Sequence, residues 1–333
     1  MLYRLLTGDK AISIFIILII ALLIWVPELV SFEYSYITEA HTYMPLYQYV
    51  AGVLGENKLI SIGIALLFVI IQSFLLIRIN VKYILIQQRT FLPALLYIIL
   101  SGYFPGLHNL NEGLIASFFM IFTIEFLMKS YKTNPNSYNF FMAGLMLGIG
   151  SLFYAPLLYF IVFVWITTTF LRSFYWREYV FPVLGIITPY VFYFAWLIQK
   201  ELNIPDFLTL IREQLFAGYP SLDINLIYKI FTAYLLIFIL IGSVFMFRVF
   251  QFKKNYQRKF FLIMFWLFVL TILIGLIFSG FNTSLNYIVS IPVSYLLTNY
   301  LINCRKNLAN KSLFYILILG SIFLTYAKLF NWI

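Results

Sequence analysis

Long apolar runs recur along almost the whole of this chain and leave it one solvent. A helix needs about 20 apolar residues to cross about 30 Å of hydrocarbon. Runs near that length fall at 11–30, 59–79, 86–104, 112–128, 138–155, 157–173, 179–199, 228–248, 260–280, 284–303 and 312–330. Hydrophobic residues make up 63% of the 333 and charged residues 10%, where soluble domains run near 45–50% and about a quarter. A fold of this size has too little interior to hide that much apolar surface from water. The expectation is all-α: a polytopic transmembrane helical bundle of about eleven spans, a single integral membrane domain over residues 1–333. Arg4 and Lys10 precede an apolar run, Ala11 to Val26, that is longer than a signal-peptide core and has no A-x-A site after it, so it reads as a retained first span.

Charge orients the spans. With the N-terminus in the cytoplasm, 17 of the 22 basic residues fall in inside segments, leaving Lys58, Lys200, Arg212, Lys229 and Lys328 outside. Cytoplasmic loops of membrane proteins carry this excess, and the C-terminus is then expected outside. The reading turns on residues 138–173, where Ala155-Pro156 must form a tight outer turn. Were that stretch one kinked helix, every later loop would change sides. The net charge of +10 is dispersed between apolar runs, unlike the basic face of a nucleic-acid binder, so no nucleic-acid partner is expected. A lone cysteine, Cys304, excludes an intramolecular disulfide and a Cys-rich metal site.

The acidic residues run the other way. Nine of the 12, with both histidines, fall on the outer side, and acidic residues contribute little to topology; any chemistry is therefore expected at the outer face. Two outer loops, 30–58 and 200–227, are long enough to build something. Tyr43–Leu54 reads as a short helix in the interface. The stretch DFLTLIREQLFAGY (206–219) is amphipathic, with Phe207, Leu210, Ile211, Leu215 and Phe216 sheltered and Glu213 in water.

Three groups of residues offer chemistry, each with a plainer alternative. Glu33, Glu39 and His41 lie within nine residues; a carboxylate beside a histidine could act as general base or take a divalent cation, or all three could be solvated loop residues. His108, Asn111 and Glu112 follow a Pro-Gly break; Asn111 can cap the next helix, and a helix N-terminus there can hold an anion or a carboxylate. Lys200 and Arg212 on the second loop suit a phosphate partner or generic lipid headgroups. The spacing of Gly144, Gly148 and Gly150 points to close helix packing. No P-loop, GxGxxG, HExxH or Cys/His ligand set is present, so no cofactor is expected.

The layout resembles the GT-C superfamily of membrane glycosyltransferases: a cytoplasmic N-terminus, a long first outer loop with an interfacial helix and acidic residues, and a second long outer loop after the seventh span. That superfamily typically carries an Asp, often an Asp/Glu pair, just after the first span, where this chain has Glu28, Glu33 and Glu39. Residues 91–196 also resemble an uncharacterised Bacteroidota membrane-protein family, through LPALLYIILSGYFP (92–105), GSLFYAPLLYF (150–160) and FLRSFYWREYVFPVLG (170–185). These resemblances imply a bacterial inner membrane and a polyprenyl-phosphate-linked sugar as donor. Glu39, with Glu33 and His41, would then be catalytic, and His108, Asn111, Glu112, Lys200 and Arg212 would bind substrate. Two other functions stay open: a non-catalytic scaffold subunit with envelope protein partners, and a transporter of lipids or small molecules. The scarcity of charge inside spans, Glu125 aside, weighs against the transporter.

Overall fold

The computed structural model describes residues 11–30, 43–54, 58–86, 88–104, 107–131, 138–172, 175–216, 225–279, 283–304 and 308–329. Glu33, Glu39 and His41 lie outside the described residues. What is described is helical, with no strand among these residues. The helices are α1 (Ala11–Val30), α2 (Pro45–Leu54), α3 (Lys58–Tyr83), α4 (Leu92–Gly102), α5 (Glu112–Lys129), α6 (Tyr138–Ser151), α7 (Ile161–Leu171), α8 (Trp176–Gln199), α9 (Ile204–Phe216), α10 (Leu226–Val249), α11 (Asn255–Ile274), α12 (Thr283–Asn303) and α13 (Leu308–Leu329). A 3-10 turn, Ala155–Phe160, leads into α7, and a π turn, Gly275–Ser279, follows α11.

Among the described residues, seven helices are long and apolar enough to cross a membrane: α1, α3, α8, α10, α11, α12 and α13. The four remaining apolar runs form shorter or more charged elements. Helix α4 has 11 residues, all buried, and spans about 16 Å at 1.5 Å per residue. Helix α5 has 18 residues, α6 has 14, and the 3-10 turn with α7 completes the set. Between α6 and α7 the chain reverses. Arg172, just past α7, lies 5.9 Å from the ring of Phe140 at the start of α6, so the two segments run back to back and residues 138–173 are not one kinked helix.

Helix α12 is the most buried of the seven, and its composition shows why its apolarity is modest. Ser290, Ser294 and Thr298 send their hydroxyls to the carbonyls of Asn286, Ile291 and Ser294 at 2.7, 2.7 and 2.6 Å. Hydroxyls satisfied within their own helix add little polarity and let neighbours approach closely. Tyr295 then donates to Leu76 O at 2.7 Å and Asn286 to Leu100 O at 2.8 Å, tying α12 to α3 and α4. A buried amide, Gln72, donates to Leu114 O at 2.8 Å and accepts from Tyr97 and Ser117. With no water to turn to, such groups must find partners inside the bundle.

Helices α6 and α8 approach through glycine. A Cβ on Gly144 would lie 2.0 Å from Pro182 O, one on Gly148 2.7 Å from Ile186 O, and one on Gly185 2.3 Å from Phe141 O. Backbone rests on backbone here, as the small-residue stripe leads one to expect. Gly150 is different: it makes room for Leu157 and Phe119.

The two ends of the bundle differ in charge. One end is basic. There Lys82 meets Glu125 at 2.7 Å with Arg78 at 3.6 Å, which places Glu125 at a helix end and not in mid-bundle. Arg172 and Glu178 form a buried pair at 2.8 Å, and Arg172 also donates twice to Ser130 O. The other end holds Glu28, His108, Asn111 and Glu112, and α2 and α9 pack there through Tyr47 on Leu110 and Phe207 beside Met44 and Leu197.

Candidate functional site

The site is built at that second end from the segment between α4 and α5. Asn111 starts α5 as its sequence promised: Oδ1 accepts the Gly113 N–H at 2.6 Å, satisfying one of the donors a helix N-terminus leaves open. The same oxygen accepts from the Ser284 hydroxyl at 2.9 Å. Gly113 allows this, because a Cβ there would lie 2.2 Å from Ser284 O. Two helix N-termini, of α5 and α12, therefore meet backbone to backbone.

Glu112 sits where they meet. It is 5% exposed, the Ser284 hydroxyl is within hydrogen-bonding reach, and Oε2 has no hydrogen-bond partner among the described residues. No ion pair among the described residues includes it. The two helix dipoles aim their positive ends here, which favours an anionic group, while burial works against it and favours the neutral acid. One carboxyl oxygen is thus buried with no hydrogen-bond partner among the described residues.

Helix α2 forms the roof. Tyr47 is buried, donates to Leu110 O at 2.8 Å, and stacks edge-on with Tyr43 at 5.0 Å. Burial, followed by Tyr43 and Glu112, holds the Tyr47 phenol well above its ordinary range, so it stays a hydrogen-bond donor at any physiological pH. Leu110 N–H is held by Ser61 Oγ at 3.2 Å, and Leu107 O accepts from Tyr287. The segment carrying His108 and Glu112 is therefore pinned at residues 107, 110 and 111.

His108 makes the inner wall. It is buried, with its ring edge-on to Trp25 at 4.9 Å and 89°. Gly102 leaves the gap they share: a Cβ there would lie 2.9 Å from Ile24 and 3.7 Å from His108 Nε2. Glu28, also buried, lies beyond, close enough for its charge to reach the Tyr228 phenol.

The structure brings His108, Asn111 and Glu112 into one segment and sets Lys200 and Arg212 apart from them. Lys200 caps the C-terminus of α8 and Arg212 is on α9, both exposed. The link between the two regions is the start of α2, where Met44 packs with Leu197 and Phe207 while Tyr47 reaches Leu110. Helix α9 largely follows its expected face: Phe207 is buried, Leu210, Ile211 and Leu215 are half-buried, and Glu213 is exposed. Phe216 departs from it at 66% exposed, and Gln214 is buried instead. Phe207 anchors the helix against Tyr190, Tyr193 and Phe194.

Sequence reasoning missed Ser284, Tyr47 and Trp25. Ser284 is 173 residues from Asn111, and the local sequence Asn282-Thr283-Ser284 matches only a glycosylation sequon, which says nothing of Asn111. A tyrosine in an interfacial stretch and a tryptophan in an apolar run look like ordinary belt residues. Among the described residues, no group of three or more His, Cys, Asp or Glu could hold a metal ion; the cation considered above would rest on Glu33 and Glu39. Comparison with protein-family models, with curated proteins and with solved structures found no match to this chain.

Proposed function

We propose that this protein is a glycosyltransferase-like enzyme of the GT-C kind, taking a sugar from a polyprenyl phosphate at the outer face of a bacterial inner membrane. One observation carries the reading. An apolar bundle buries a carboxyl group, Glu112, between two helix N-termini, leaves one of its oxygens without a hydrogen-bond partner among the described residues, and covers it with a short helix expected at the interface. Buried polar groups in lipid-embedded proteins are expensive and mark function by default. The roofing helix directly follows the segment that carries Glu33, Glu39 and His41, so the two sets of polar residues are close in the chain.

In this reading Glu39, assisted by Glu33 and His41, takes the proton of the acceptor hydroxyl. The acceptor oxygen bonds to the anomeric carbon as the bond from that carbon to the phosphate oxygen breaks. The leaving phosphate keeps the electron pair, and Lys200 or Arg212 offsets its charge. Glu112 and Asn111, with His108 behind them, hold sugar or acceptor hydroxyls. Membrane lipids and the lipid-linked sugar are the partners, with no cofactor and no nucleic acid. Eleven spans with the N-terminus inside and the C-terminus outside put the acidic end on the outer side. A reporter fused after Ile333 then reads as extracytoplasmic and one in the 251–258 loop as cytoplasmic; a cytoplasmic C-terminal reporter overturns that orientation.

The activity test is complementation of a null strain with protein levels checked by blotting. Glu39→Gln removes most function, since a general base contributes roughly 10²–10⁴-fold. Glu112→Gln weakens function through substrate affinity. Full complementation by Glu33→Gln, Glu39→Gln, His41→Ala and Glu112→Gln at normal levels removes the enzyme. A scaffold subunit of an envelope assembly then takes its place. Helix α8 favours that second reading, because it is the least buried of the seven long apolar helices and presents Leu184, Val191, Phe192 and Trp196 outward.

A further inference from the structure

The basic end carries a second feature, independent of any transferase reading. The hairpin from α10 to α11 reads RVFQFKKNYQRK over residues 248–259, with five basic residues and no acidic one. Phe252 at its tip is 85% exposed. Arg248 and Lys254 beside it are exposed as well. Among the described residues, no ion pair joins any cation of this hairpin to an acidic side chain. Glu125 and Glu178, at the same end, are already matched by Lys82 and Arg172.

The tip is shaped without help from a ligand. Arg258 folds back so that Nε donates to Lys253 O at 2.8 Å and the guanidinium reaches Gln251 O. Lys253 is half-buried, with Nζ 3.7 Å from the centre of the Phe261 ring and one bond to Asn299 Oδ1. An ammonium has three donors, so two remain. A rigid turn thus presents Arg248, Lys253 and Lys254 around an exposed aromatic ring.

Depth identifies the anion. The hairpin joins two helices that are each long and apolar enough to cross a membrane, so its tip lies where lipid headgroups lie. Lysine and arginine near helix ends reach for that level, and an aromatic ring there inserts between acyl chains. A free anion in water would use the cations and leave Phe252 stranded in solvent; a phospholipid uses both. We propose that the 248–259 hairpin binds an anionic phospholipid, with Arg248, Lys253 and Lys254 on the headgroup phosphate and Phe252 among the acyl chains.

The test uses the full chain purified in detergent. Its thermal unfolding midpoint is followed while dioleoylphosphatidylglycerol, dioleoylphosphatidylcholine or inorganic phosphate is added. Phosphatidylglycerol raises the midpoint, and the other two leave it unchanged. The variant Arg248→Gln/Phe252→Ser/Lys254→Gln needs on the order of thirtyfold more phosphatidylglycerol for the same shift, from two charges at the usual strength of a basic residue near an anionic surface. Lys254→Gln alone needs about fivefold more, and it answers the question if the triple variant fails to fold. Lys229→Gln, at the opposite end of α10 and exposed, titrates like the parent. Three results overturn the proposal: hairpin variants that titrate like the parent, equal loss in the Lys229 variant, or an equal shift with phosphatidylcholine or inorganic phosphate.

Discussion

Replacing Gly144 by alanine tests the packing of α6 on α8 with a built-in sign. On an open helix face, Gly→Ala stabilises by about 0.5–1 kcal/mol, because alanine loses less backbone freedom on folding. At Gly144 the new Cβ would lie 2.0 Å from Pro182 O. Ordinary contact starts near 3.4 Å, so the helices would have to part by roughly 1.4 Å, the difference of those two distances. Neither can yield locally, since the obstructing atom is backbone and Gly185 meets Phe141 O at a similarly short 2.3 Å. Overpacking of this kind costs about 1–3 kcal/mol, which outweighs the propensity gain. Gly63 on α3 is the control, since a Cβ there meets nothing within 4 Å. Unfolding of the purified protein in mixed micelles, titrated with a denaturing detergent, should show Gly144→Ala destabilised and Gly63→Ala unchanged or more stable. Equal effects of the same sign at both sites would refute backbone contact between α6 and α8.

Three further outcomes follow from single contacts. Ile84 ends α3 in a left-handed conformation, φ 49°, with 65% of its surface exposed; Ile84→Gly relieves a β-branched residue there and should raise stability by about 1 kcal/mol in the same titration. Arg172→Met strands Glu178, 2% exposed, and should cost about 3–5 kcal/mol, while Arg172→Met/Glu178→Met should recover much of the loss; a double variant as unstable as the single one contradicts the pairing. Burial lowers Lys253 to about 8 from its usual 10.5, so between those values the unfolded chain binds more protons, and stability should rise with pH across that window. Lys253→Gln should lack this rise in melts taken at pH 7.5, 8.5 and 9.5, and an identical slope in both proteins would show that Lys253 is not its source.

Seven long apolar helices could be read from residue order, because hydropathy is a local property summed over about 20 neighbours. Capping is local too: Asn-Glu-Gly ahead of an apolar run announced Asn111, whose capping bond reaches only two residues along the chain. The glycine stripe on α6 was legible as a packing surface, but its partner, Gly185, was not. Nothing in one helix names the helix it rests on. Length was equally opaque for the 86–104 run, where among the described residues only Leu92–Gly102 is helical and burial by its neighbours stands in for the missing turns. At the candidate site, composition placed a carboxylate near a helix start and went no further. Glu112 became a buried group with an unpartnered oxygen because Ser284 arrived from 173 residues beyond Asn111 and Tyr47 closed over Leu110. Those contacts satisfy polar groups that lipid cannot, and which groups meet is a property of the assembled bundle, where the chain's order no longer says who is near whom.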